Sequence, residues 1–108
     1  MIYRVQLTDE AKQDLYGIYE YIALSLLEPR IARNVKDRIV AGLWSLRQMP
    51  ERYPLYQEEP WKSRRFRRVN IENYCGFYIV AGKSVQVIRI LYGGRDINSE
   101  LPDYTNSC

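Results

Sequence analysis

From Ile2 to Leu7 the chain alternates, with Tyr3, Val5 and Leu7 on one side and Ile2, Arg4 and Gln6 on the other, which predicts a short strand. The period then changes. Ala11, Leu15, Ile18, Tyr19, Ile22 and Leu26 recur at helical spacing, so a helix is expected to about Leu27. Thr8 is its N-cap, and Asp9 and Glu10 occupy the first turn, where the helix dipole favours acids. Pro29 fits the first position of a second helix, with a buried stripe expected at Ile31, Val35, Ile39, Leu43 and Leu46. Only the Glu28-Pro29 region separates the two, which predicts an antiparallel hairpin.

Met49–Ser63 holds Pro50, Pro54 and Pro60 and no periodicity, so it reads as a loop of about fifteen residues, a length often associated with function. Strand patterning follows. Val69 and Ile71 alternate with polar residues, Cys75–Ala81 is a continuous apolar run, and Ser84–Tyr92 is rich in β-branched residues. Glu72-Asn73-Tyr74 and Ala81-Gly82-Lys83 make short connections, and short connections require antiparallel neighbours. The expected fold is α+β, in the order β-α-α-β-β-β. A helical hairpin packs on one face of a mainly antiparallel sheet that the N-terminal strand joins. A single domain is expected over residues 1–97, with a polar tail over 98–108 that contains Pro102.

A length of 108 residues supports one core without covalent staples. No stretch suits a membrane: Ile18–Leu27 is too short and contains Glu20 and Ser25. Met1-Ile2-Tyr3-Arg4 leads directly into the strand pattern with no leader, so a cytoplasmic location is expected. Cys75, in the middle strand, is expected in the core, and Cys108 is the last residue; two cysteines so placed are no disulfide framework. Histidine is absent, which removes Ser-His and Cys-His nucleophile pairs and disfavours zinc; no metal and no cofactor are expected.

Charge changes the picture more. Lys62, Arg64, Arg65, Arg67, Arg68, Lys83, Arg89 and Arg95 face a single acid, Glu72, between positions 62 and 95, giving +7 there against −4 elsewhere. In a strand, Arg65 and Arg67 would share a face with Val69, and Arg64 and Arg68 the other with Phe66. Basic residues at a strand edge also block aggregation, which is the plainer reading. Arg89 lies mid-strand on the Val85, Val87 and Leu91 side, where a lone charge is costly, so it either pairs with an acid or lines an open sheet face. Arg95, beside Gly93-Gly94, is placed to contact an anion. Tyr53, Tyr56 and Trp61 pin the loop to the body or, beside the basic run, stack on bases. Ribonuclease chemistry would draw on Lys62, Glu58 or Glu59, a tyrosine and the arginines, but no spacing compels it. Tyr16, Ala23, Leu27, Val40 and Trp44 fall outside the helical stripes. Singly each is the edge of a wide buried face; together they suggest a protein-binding surface.

The strand–helix–helix–three-strand order, Asn73-Tyr74 at the start of the middle strand, the Glu-Pro-Trp approach (Glu59-Pro60-Trp61) and the ending Leu91-Tyr92-Gly93-Gly94-Arg95-Asp96-Ile97 resemble the RelE/ParE superfamily of bacterial toxins. These are the toxins of type II toxin–antitoxin modules, often labelled plasmid stabilization proteins. The resemblance spans Ile2 to Ile97 and implies a growth-inhibiting toxin with a cognate antitoxin as partner. It also implies one of two targets: DNA gyrase for ParE-like members, or messenger RNA on the ribosome for RelE-like endoribonucleases. As a ribonuclease, the matching catalytic set would be Lys62, Arg65, Arg67 and Arg95, with Arg64, Arg68, Arg89 and Trp61 binding nucleic acid or target. The antitoxin would bind across Tyr16, Leu27, Val40 and Trp44. Two departures weigh against the nuclease: Tyr74 is followed by Cys75 rather than arginine, and Leu101 stands where a C-terminal tyrosine is expected, with Tyr104 the nearest substitute. The long hairpin is also more ParE-like. The expectation leans to a gyrase poison, with the endoribonuclease and an inactive antitoxin-binding relic as alternatives.

Overall fold

Thr8 joins the two layers of the molecule. It ends β1 (Arg4–Leu7) and caps α1 (Asp9–Glu20): its Oγ1 accepts a hydrogen bond from the Ala11 amide at 3.1 Å and donates one to Ile88 O at 2.9 Å. The computed structural model describes residues 2–93. Beyond α1 the helix widens over Tyr21–Ser25, turns at Leu27 and returns as α2 (Pro29–Trp44) with proline at its first position. Short 3₁₀ turns at Ser45–Arg47 and Pro50–Arg52 begin the long connection to β2 (Arg67–Ile71), β3 (Tyr74–Ala81) and β4 (Ser84–Tyr92).

The four strands lie in the order β1-β4-β3-β2, antiparallel except for β1, which runs parallel to β4. Sequence pattern left the partner of β1 open; the pairing follows because two helices and a hairpin intervene, enough chain for a crossover. Gly82, with φ +61, opens the two-residue β3–β4 turn, where a left-handed first residue matches the twist of the flanking strands. β4 bulges opposite Phe77 and Tyr78, leaving Ile88 as an extra residue. The bulge resets the alternation. Val85, Val87 and Ile90 face the helices, whereas Ile88 and Leu91 face the other way. Leu91 therefore does not share the side expected for it with Val85 and Val87.

The helix-facing core contains Ala11, Ile39, Leu43, Leu46, Val69, Tyr78, Val85, Val87 and Ile90. Gly42 lets α2 lie close to β2, since a Cβ there would stand 2.7 Å from Ile71 Cδ1. On the second face of the sheet, Trp61 and Phe66 from the long connection cover Cys75, Phe77, Ile88 and Leu91, with Tyr56 at the margin. The loop is thus a lid over a second small core, because a sheet with apolar residues on both faces must be covered on both.

Two expected stripe positions fail. Leu26 is 52% and Ile31 49% exposed, while Ala23, expected outside the stripe, and Ala32 are buried. The reason is that small residues close the seam between the helices at this end, and no described strand reaches beneath the larger ones.

Asp14 fastens α1 to β4. Its Oδ2 accepts from Arg89 Nε at 2.6 Å and from the Ile90 amide at 3.0 Å, and its Oδ1 accepts from an Arg89 guanidinium nitrogen at 3.0 Å. Both side chains are largely buried, at 20% and 16% exposure, so Arg89 takes the paired alternative rather than lining an open face. Removing one member strands a charge. Asp14→Ala is expected to lower stability by about 3 kcal/mol in urea unfolding. Asp14→Asn, which retains an acceptor for the Ile90 amide, should lose roughly half as much.

Candidate functional site

The basic run does not form one strand face. β2 begins only at Arg67, and the preceding residues turn back on themselves: the Lys62 amide donates to Glu58 O at 2.8 Å, that of Arg65 to Lys62 O at 3.0 Å and that of Phe66 to Trp61 O at 3.1 Å. Arg65 takes φ +64, so it does not share a strand face with Arg67 and Val69, and Arg64 likewise lies in the turn. The cause is Trp61 and Phe66, both buried, whose docking on Phe77 and Leu91 forces the backbone between them into a compact loop. Trp61 is 6% exposed and has no face to offer a base, so it pins the loop instead of binding a target by stacking.

The other cations divide between structural and exposed roles. Arg67, whose side chain is 12% exposed, donates to Tyr53 O at 2.6 Å and pairs with Glu51 at 3.7 Å. Arg68 donates to Asn70 Oδ1 at 3.1 Å and lies 6.0 Å from the Phe77 ring. Lys62, Arg64 and Arg65 stand on the exposed turn. Arg95 and Tyr104 lie outside the described residues, as do Cys108 and the expected domain limit at residue 97. Of the acids considered as bases, Glu59 accepts from Ser63 Oγ at 2.7 Å and the Ser63 amide at 3.0 Å. The hydroxyl bond first, then the amide, holds its carboxyl below the ordinary carboxylate range, which makes it a reluctant proton acceptor.

The helical hairpin presents a different surface. Tyr16, Leu27, Val40 and Trp44 are all exposed, from 45% to 78%. Lys36 lies over the Tyr19 ring and Ala23 packs with Ala32, so the antiparallel register places Tyr16 level with Ile39 and Val40. Arg47 covers part of the Trp44 ring at 5.2 Å, and a depression of about 510 Å³ beside it is lined by Trp44, Arg47, Met49 and Arg52. Met49, at φ +48, is a largely exposed apolar residue in a left-handed conformation. Sequence reasoning did not mark it, because only the turn at the end of α2 brings it beside Trp44. A groove of about 700 Å³ runs between α1 and the end of β4, lined by Gly17, Tyr21, Tyr74 and Tyr92 among others. There burial first, then the neighbouring Tyr92 and Tyr21, push the Tyr74 phenol up.

Tyr78 anchors the connection that carries Met49. Its buried hydroxyl donates to Pro50 O at 2.5 Å, and burial, only partly offset by Arg67, pushes the phenol up to about 12. Since the folded value lies above the ordinary 10, the stability held by the neutral phenol is complete below pH 10 and is lost as pH rises toward 12. Tyr78→Phe should cost about 1 kcal/mol at neutral pH and flatten the alkaline fall in stability, measured by denaturant unfolding at stepped pH.

Comparison places the chain in a family. Residues 5–97 match the model described as the ParE toxin of the type II toxin–antitoxin system parDE. A structure of the chromosomal ParDE system from P. aeruginosa is similar at TM-score 0.70 and 24% identity, over 84% of this chain and 96% of that one. The toxin–antitoxin complex RelBE2 from Mycobacterium tuberculosis is similar at TM-score 0.61 and 19% identity, over 85% of this chain and 99% of that one. The search of curated proteins returned no match. Those likenesses of structure support the fold alone, but the family match runs through nearly the whole described chain and carries both helices and all four strands. The chain belongs to the ParE toxins of type II toxin–antitoxin systems.

Proposed function

We propose that this toxin inhibits growth by poisoning DNA gyrase, a protein target in the cytoplasm, and that it does not cleave RNA. The observation that carries this reading is the engagement of the basic residues by their own chain. Among the described residues, Arg67 of the expected catalytic set is tied to Tyr53 and Glu51 and Arg65 sits with Lys62 on a separate turn, while Arg89 of the expected binding set is closed against Asp14. A phosphoryl-transfer site needs cations converging on one phosphate, whereas the exposed surface of the hairpin is apolar and aromatic, the composition of protein interfaces. Purified protein added to gyrase should block supercoiling, and induced cells should filament with a DNA-damage response. Codon-positioned cuts in translated messages, lost on Arg95→Ala, would replace this reading with the endoribonuclease. No effect on growth would leave the inactive relic.

The P. aeruginosa structure is of a ParDE toxin–antitoxin system and the M. tuberculosis structure is a toxin–antitoxin complex. For this chain the corresponding partner is an antitoxin segment that folds on binding, laying an amphipathic helix along Tyr16, Val40 and Trp44 with Leu27 at its far end. Acidic residues on it would meet Arg47, which already lies on Trp44, and the exposed Arg65. Trp44 is 54% exposed in the free chain and so is available as the anchor. Trp44→Ala should weaken antitoxin binding by about 2 kcal/mol or more in calorimetry. Charge reversal at Arg47 and Arg65 should mainly slow association and reduce its salt dependence.

A further inference from the structure

The distal end of the hairpin extends past the sheet. Among the described residues, Ile22, Ala23 and Ala32 form a core cluster of their own, packed by Ile18, Tyr19 and Val35, all from the two helices and the turn between them. Around that cluster Tyr21, Leu24, Leu26, Leu27 and Ile31 are exposed by 49% to 78%. Leu26 and Ile31 continue the apolar period of α1 and α2, so the sequence is patterned for burial at positions where no strand lies beneath.

The backbone at this end presents leucines at a cost. The Leu26 amide donates to Tyr21 O at 3.1 Å and the Glu28 amide to Ile22 O at 3.0 Å, spans wider than an α-helical turn. Leu27 holds φ +57, a left-handed position that glycine fills without strain and a branched side chain does not, and it is 78% exposed. The cap bond accounts for the backbone turn, but among the described residues nothing covers the Leu27 side chain. A leucine at this position makes sense where the side chain is buried by something else.

We propose that the hairpin tip is a self-association surface that packs against the tip of a second copy of the chain. Charge selects that occupant. Residues 20–33 carry Glu20 and Glu28 against Arg30 and Arg33 and are electrically balanced, while positions 62–95 carry +7 and would repel a like copy. Flanks of both signs suit a two-fold contact, in which Glu28 of one copy meets Arg30 of the other. The five side chains expose roughly 500 Å² per copy, so a two-fold contact would cover roughly 1,000 Å², the lower limit for a specific interface and the size of a weak dimer. The tip and the Trp44 surface lie at opposite ends of α2 and share only Leu27, where the proposed antitoxin helix would end, so the other four tip residues test this association apart from the gyrase and antitoxin readings.

Sedimentation equilibrium of the full chain across the micromolar range tests it. A monomer–dimer equilibrium is expected, strengthened by salt because screening removes the net repulsion between copies. Leu24→Glu with Leu26→Glu should abolish it, and Trp44→Ala should leave it intact. Leu27→Gly separates the interface from folding: it should raise the melting temperature of the monomer while weakening the dimer. A wild-type chain that stays monomeric across that range, or a dimer that survives the paired glutamates, overturns the proposal. So does a monomeric wild type whose tip variant loses antitoxin affinity, which would give the tip to the antitoxin instead.

Discussion

β1 is too short for the strand it joins, and the rest of the structure depends on how that mismatch is resolved. Its register ends at Leu7 opposite Val87, yet β4 continues to Tyr92. The outer edge of β4 beyond that point therefore presents backbone groups with no strand to bond them. Thr8 takes the first of these, bonding Val87 O with its amide and Ile88 O with its hydroxyl. Asp14 takes the next, accepting from the Ile90 amide as a neighbouring strand's carbonyl would. Arg89 offsets the charge this places indoors. Thr8 at the start of α1 and Asp14 nearly two turns further on thus substitute for the missing strand and fix the angle of α1 across the sheet. The groove lined by Gly17, Tyr21 and Tyr92 follows from the same substitution, since a helix rather than a strand now borders the edge.

Covering both faces of the sheet has a consequence for the cations. Had the long connection remained in solvent, the arginines around Phe66 would have formed a strand and lined an open face. Burial of Trp61 and Phe66 yields more, on the order of 2–3 kcal/mol for each large side chain, than a surface arginine contributes by its position. The aromatics therefore decide the path of the backbone, and the basic residues between them go wherever that path leaves them. Arg65 in a left-handed turn and Arg67 against Tyr53 are results of this competition.

The sequence made much of this legible where one period ran uninterrupted. The N-cap at Thr8, the start of α2 at Pro29 and the limits of β4 all read directly, because capping, proline geometry and β-branched runs act locally. The parallel pairing of β1 and the bulge at Ile88 did not, since both depend on partners distant in the chain. Trp61 leaves two readings open in the sequence, pinning the loop or stacking on bases, for a related reason: an aromatic residue near arginines has the same local signature whether it faces solvent or a core. Leu26 and Ile31 went wrong in the opposite sense. Their spacing correctly assigned them to the helix stripe, but periodicity records only which side a residue faces and not whether the sheet reaches that far.

That last distinction bears on function. A hairpin no longer than its sheet would bury both stripes completely and leave only charged outer faces. This hairpin exceeds the sheet, so its distal cluster of Ile22, Ala23 and Ala32 holds the helices together without help, and the larger residues are free to face outward. Small residues in the seam and large ones outside reverse the usual arrangement of a helix pair on a sheet. The seam holds the buried contacts of the arm, and the outer residues keep about half or more of their surface in solvent. Leucine, isoleucine and tyrosine stand there uncovered by any described residue, and they are the surface that the proposed contact between copies would bury.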